Sequence, residues 1–185
     1  MKKANPMSRL AGQSKIWTDL DLEAVGKQIG YFRLPLAVHD RSGDDVGYNY
    51  EPIPIVTIRN GEGPGVLLMA GNHGNEYEGQ IILMKVIRAL RSEDVRGRLF
   101  ILPAANAPAV RADRRTSPLD DGNLNRLFPG EPDGGPTSMI AHLIESELLP
   151  RVDYAIDLHS GSLSAEYLPC AVVARRPSRM SWKMH

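Results

Sequence analysis

The chain has 185 residues, with 22 Lys and Arg against 22 Asp and Glu, 42% hydrophobic residues and one cysteine, Cys170. That length suits one domain, or one domain with an appendage, and the single cysteine excludes an internal disulfide framework and any Cys-rich zinc module. The balanced charge argues against a nucleic-acid binder or a polybasic membrane binder, and no apolar run approaches the roughly 20 residues that span a bilayer.

Residues 1 to 27 are mixed and polar, with Trp17, Leu20 and Leu22 as anchors for an N-terminal arm. The start, Met1-Lys2-Lys3-Ala4-Asn5-Pro6, has basic residues but no apolar stretch behind them, so it does not read as a secretory signal. A soluble, cytoplasmic α/β protein is expected. Ile29 to Val38 predicts a strand broken by Pro35, and Asp40 to Asp45 a turn. Ile53 to Arg59 is β-branched and short, and Asn60 to Gly65 is turn chemistry. Val66 to Ala70 is a continuous apolar run, the pattern of a strand covered on both faces.

A helix follows, with Ile82, Leu83, Val86, Ile87 and Leu90 at the 3.6-residue period and Lys85, Arg88 and Arg91 turned away. Arg98 to Leu102 predicts a strand. Thr137 reads as the N-cap of a second helix whose apolar side is Ile140, Leu143, Ile144 and Leu148. Tyr154 to Leu158 predicts a further buried strand, and Tyr167 to Ala174 another. Strands alternating with helices predict a mostly parallel sheet with helices on both faces. The expected division is an arm with a strand over residues 1–48, a catalytic unit over 49–174, and a tail over 175–185 that follows neither pattern.

His73 and Glu76 stand three apart between an apolar strand and a helix. An imidazole nitrogen and a carboxylate oxygen at such a corner suit Zn²⁺. His159 follows the strand YAIDL, so both histidines sit at carboxyl ends of strands, where open α/β sheets place their sites. Two histidines and one carboxylate leave a fourth position open, the mark of a catalytic zinc rather than a structural one. Glu78 lies about 200° around the helix from Glu76 and is expected to face solvent or make a local pair. His39 and His142 read as structural or solvated. The turn-rich segment from Arg114 to Gly130 lacks any period. In it, Asn125 and Arg126 suit an anionic substrate group, and Arg115 suits a carbonyl or an oxyanion. The alternative is a solvated basic loop.

HGNEYEG, PAANAPAVRADRRTSPLDDGNLNRLFPG and DLHSG together resemble the succinylglutamate desuccinylase/aspartoacylase family, over about residues 16 to 173. The resemblance implies a three-layer α/β/α zinc carboxypeptidase-like fold with a mixed, mostly parallel sheet, incomplete at the C-terminus. It implies one Zn²⁺ per chain on His73, Glu76 and His159, with Asn125 and Arg126 holding the substrate carboxylate. Arg115 matches the carbonyl-polarising arginine, with Arg114 as competitor, and Asp157 a partner that orients a ligand. Many relatives have Asp where this chain has Asn123, whose role stays open. The substrate implied is a small N-acylated amino acid, in the branch nearest IWTDLDLEAVGKQIGYFRLP and RRTSPLDDGNLNRLFPG an N-acetylated diaminobutyrate of ectoine breakdown. Succinyl or aspartyl substrates, or an inactive remnant, are the alternatives.

The family's general-base Glu lies well beyond the second zinc histidine, and Glu166, the only acid after His159, sits too close to match it. The expectation is therefore a C-terminally truncated member lacking its proton carrier. Bare sheet edges would follow, predicting poor solubility or association into a homo-oligomer.

Overall fold

A computed structural model describes residues 14–39 and 45–173. The expected turn at 40–45 falls almost wholly outside these residues, as does the tail at 175–185. Five strands form one sheet in the order β1-β2-β4-β3-β5. They are β1 (Gly26–His39), β2 (Asp45–Asn60), β3 (Gly65–Ala70), β4 (Gly97–Leu102) and β5 (Tyr154–Leu158). β1 with β2 and β2 with β4 are antiparallel, while β3 runs parallel to both β4 and β5. The sheet is mixed, and its parallel part carries the two histidine-bearing strand ends.

Helices lie on both faces, which gives three layers. On one face α1 (Tyr77–Ala89) covers Val56, Ile58, Leu99 and Ile101 with Leu83 and Ile87. On the other, α4 (Pro136–Leu143) and the turn that continues it pack Ile140, Leu143, Ile144 and Leu148 on Phe32, Ile53, Leu67 and Phe100. Successive residues of β3 divide between these two cores, with Leu67 and Met69 in one and Val66 and Leu68 against the other. That is the covering on both faces that its unbroken apolar run predicts. Two short helices, α2 (Ala107–Arg111) and α3 (Leu124–Leu127), complete the fold.

Several expectations are corrected. β1 runs through Pro35 without a break, pairing it with Tyr50. Arg33 N–H donates outward to the Trp17 carbonyl at 2.7 Å. Pro35, two residues on, turns its nitrogen the same way, so the missing donor costs no bond to β2. In the arm, Ile16 and Leu22 are the buried anchors, while Trp17 bridges to Arg33. Ile82 is exposed, because the buried stripe of α1 is Gly79, Leu83 and Ile87. Thr137 is not the cap of α4. Gly135 holds that position, and Thr137 gives its N–H to the Asp120 carboxylate at 2.8 Å. Among the described residues β5 is an edge strand rather than a buried one, with Ile156 48% exposed. Residues 167–173 form no strand. Among the described residues no helix is long and apolar enough to cross a membrane.

Candidate metal centre

The parallel register sets Ala70 of β3 beside Leu158 of β5. The chain leaving each strand therefore emerges at one end of the sheet: loop 71–76 from β3, and His159 from β5. Gly71 turns the first of these with φ +71°, a conformation glycine adopts without steric cost. The loop is then tied down on three sides. Asn106 N–H donates to the Gly71 carbonyl at 3.0 Å, Gly74 N–H to the Arg114 carbonyl at 2.8 Å, and Gln80 Nε2 to the Gly74 carbonyl at 2.9 Å.

Two glycines permit the close approach of the elements around the site. A Cβ on Gly79 would stand 2.8 Å from Leu158 Cβ, so its absence lets α1 settle against the end of β5. A Cβ on Gly74 would stand 2.1 Å from the Ala109 backbone, where no side chain can yield. Gly74→Ala is expected to cost about 3 kcal/mol or more, the upper part of the range for overpacking. It should also displace His73 and Glu76 together. Chemical denaturation and zinc titration of the same sample check both effects, and a variant of unchanged stability would contradict this packing.

One donor atom each from His73, Glu76 and His159 lies within 4.8 Å of the others. Glu76 is the centre. Its Oε1 lies 2.8 Å from His73 Nδ1 and its Oε2 lies 2.8 Å from His159 Nδ1. The outer nitrogens of both rings face acceptors: His159 Nε2 is 2.8 Å from Asp157 Oδ2, and His73 Nε2 is 3.3 Å from Asn123 Oδ1. Nε2–H protons donated outward leave both Nδ1 atoms directed at the carboxylate. The short Nδ1–carboxylate contacts bring both rings and the carboxylate within reach of one shared cation. Two nitrogens and a carboxylate oxygen form a donor set suited to Zn²⁺.

The charges respond accordingly. Hydrogen bonding to Asp157, more than any other influence, raises the His159 pKa to about 9, with Glu76 adding to the effect against the opposing influence of burial. Burial is the largest single influence on Glu76 and pushes its pKa up. It is outweighed by hydrogen bonds from His159, the Ser160 amide and His73, so the carboxyl ends below its ordinary value.

The arginines separate clearly. Arg115 brings Nη1 to 3.3 Å from both Glu76 Oε1 and His73 Nδ1, while its side chain stays 52% exposed. Arg114 instead pairs with Asp121 at the surface, at 3.0 Å. Asn125 reaches the cluster, with Nδ2 3.2 Å from His159 Nε2. Arg126 does not join it, being exposed and donating to the Asn125 carbonyl at 3.2 Å. Asn123 caps α3 by accepting from Asn125 N–H at 3.1 Å, in addition to its contact with His73. Glu78 is exposed. Sequence reasoning misses Asn72 and the Ser160 amide, which donates to Glu76 Oε2 at 3.2 Å. The position of Asn72, directly before His73, is the one available signal.

Residues 62–185 match the model of the succinylglutamate desuccinylase/aspartoacylase catalytic domain. The chain is 46% identical over 168 residues to N-alpha-acetyl-L-2,4-diaminobutyric acid deacetylase of Halomonas elongata, covering 89% of this chain and 48% of that protein. Among solved structures it resembles a succinylglutamate desuccinylase from Silicibacter sp., with TM-score 0.76 and 45% identity over 80% of this chain and 44% of the other. The product-bound ectoine utilization protein EutE (DoeB) from Ruegeria pomeroyi gives TM-score 0.75 and 45% identity, with the same coverage. The chain thus spans about half the length of the curated relative that it matches.

Proposed function

The chain belongs to the succinylglutamate desuccinylase/aspartoacylase family, and from that membership we propose that it carries the zinc site of a hydrolase that removes an acyl group from an N-acylated amino acid. The observation that carries this reading is the convergence of His73, Glu76 and His159 within 4.8 Å. Those three side chains would hold the ion. A zinc ion so bound acidifies water and polarises an amide carbonyl.

The remaining work falls to the chain's own groups. Arg115, half exposed beside Glu76 and His73, can turn its free donors toward the acyl carbonyl and hold the negative charge that develops on its oxygen. Asn125 offers an amide N–H at the edge of the cluster. Arg126, exposed one residue on, offers a guanidinium fork to the substrate carboxylate, and holding the substrate at that end makes attack effectively intramolecular. Asp157, 2.8 Å from His159 Nε2, would hold that ring in the orientation a ligand needs.

N-acetyl-diaminobutyrate is the favoured substrate, supported by the similarity to the Halomonas deacetylase. The similarity to a protein named as a succinylglutamate desuccinylase makes a succinylated amino acid the second reading. The test is made on the 185-residue chain. Near-stoichiometric zinc, lost in His73→Ala and in His159→Ala, is expected from metal analysis. Calorimetry on the zinc-loaded chain should then rank N-acetyl-diaminobutyrate above N-succinylglutamate and N-acetylaspartate. A protein that takes up no zinc, with both variants as stable as the parent, would overturn the assignment.

A further inference from the structure

Asn72 stands two residues past the end of β3 and is 2% exposed. Its amide nitrogen donates to Asp157 Oδ2 at 2.9 Å and to Asn125 Oδ1 at 2.7 Å, so both of its protons are used. Its own Oδ1 is buried without a hydrogen-bond partner. A buried acceptor left unsatisfied is unfavourable, which marks this side chain as held in place for its donors. Its orientation is fixed, because a carboxylate accepts only and Asp157 therefore takes the nitrogen end. That choice propagates. Asn125 must turn its oxygen toward Asn72, which directs its own Nδ2 toward His159 and the centre of the site. Asp157, with one oxygen held by Asn72, presents that same oxygen to His159 Nε2 at 2.8 Å.

We propose that Asn72 is a positioning residue: through a single amide it sets Asp157, and hence the His159 ring, for the metal, and makes Asn125 show an N–H donor rather than a carbonyl to the substrate. The proposal rests on the zinc reading above. Groups one step behind a ligand commonly change metal affinity ~10–100-fold when removed. Asn72 lies one step further back, and its effect must pass through Asp157.

The experiment is a thermodynamic cycle on the full 185-residue chain, with zinc alone titrated by chelator competition. Asn72→Ala is expected to weaken zinc ~10-fold, the low end of that range, and to alter the visible spectrum of the Co²⁺-substituted protein. The far-UV dichroism of the metal-free form should match the parent, with a cooperative unfolding transition whose midpoint is lowered by the two lost hydrogen bonds. In an Asp157→Ala background the same substitution is expected to cause no further loss, since its route is then gone. Unchanged zinc affinity in Asn72→Ala overturns the proposal, as does an equal loss with Asp157 already removed. If alanine does not fold, Asn72→Ser, which keeps one donor, carries the test: partial weakening supports the proposal and parental affinity overturns it. A parent chain that binds no zinc overturns the metal reading and this inference together, whereas parental zinc binding that the variants leave intact overturns this inference alone.

Discussion

Glu76→Gln is expected to lower zinc affinity by more than about 100-fold and to cost the metal-free chain about 3 kcal/mol. The first figure follows from the loss of a charged ligand, which must exceed the ~10–100-fold effect of groups that merely support one. The second follows from the bonds the carboxylate makes. Its oxygens face His73 Nδ1, His159 Nδ1, the Ser160 amide and Arg115, and its side chain is only 5% exposed. Glutamine has one acceptor oxygen, and its amide nitrogen would meet N–H donors on whichever side it faced. Breaking a buried ion pair costs about 3–5 kcal/mol. The lower end applies because the His159 side chain is 32% exposed and water partly screens it. Chelator-competition titration checks the affinity, and denaturation in excess chelator checks the stability. A glutamine variant with parental zinc affinity would remove Glu76 from the ligand set.

Most of what makes this centre is legible in the amino-acid sequence, because its determinants are local. The run VLLMA can only be a strand buried on two sides or a helix segment, and the Gly-rich sequence behind it chooses the strand. Once HGNE and DLHSG are each placed after a strand, the C-terminal-edge rule brings them together without knowledge of the register. What escapes the sequence depends on distant partners. YAIDL looks like a buried strand because its residues are apolar, but burial also needs neighbours, and among the described residues β5 has a strand only on the β3 side. Thr137 looks like a cap because threonine often is one. The Asp120 carboxylate, 17 residues away, accepts from the Thr137 amide and hydroxyl instead. Arg114 and Arg115 cannot be told apart by type or spacing. Their backbones are adjacent, and only the fold shows one guanidinium at Glu76 and the other at Asp121. Its place directly before a histidine is the one mark Asn72 carries in the sequence, and it gains its meaning only when Asp157 and Asn125 arrive from the other strand end and from α3.

Zinc affinity and metal-free stability are expected to move in opposite directions with pH, and the reason lies in one ring. His159 sits between two carboxylates, with Nε2 2.8 Å from Asp157 and Nδ1 2.8 Å from Glu76. Its pKa of about 9 lies above the 6.5 of an unperturbed histidine. A group whose folded pKa is raised stabilises the fold fully below its unfolded value and loses that contribution as pH climbs through the folded value. The metal-free chain should therefore become less stable from about pH 6.5 to about pH 9. Zinc requires the opposite state, because Nδ1 must give up its proton to become a ligand. Below about pH 9 each unit of pH should tighten zinc about tenfold, so affinity should rise roughly 100-fold between about pH 6.5 and about pH 8.5 and then level off. Asp157→Asn removes the largest influence on the ring and should bring the plateau to lower pH. Titrations at fixed ionic strength, corrected for the chelator's own protonation, measure the slope, and thermal melts in excess chelator measure the stability. Affinity that stays flat across that interval, or metal-free stability that rises through it, would mean that no proton is displaced from His159 and that the ion does not sit on Nδ1.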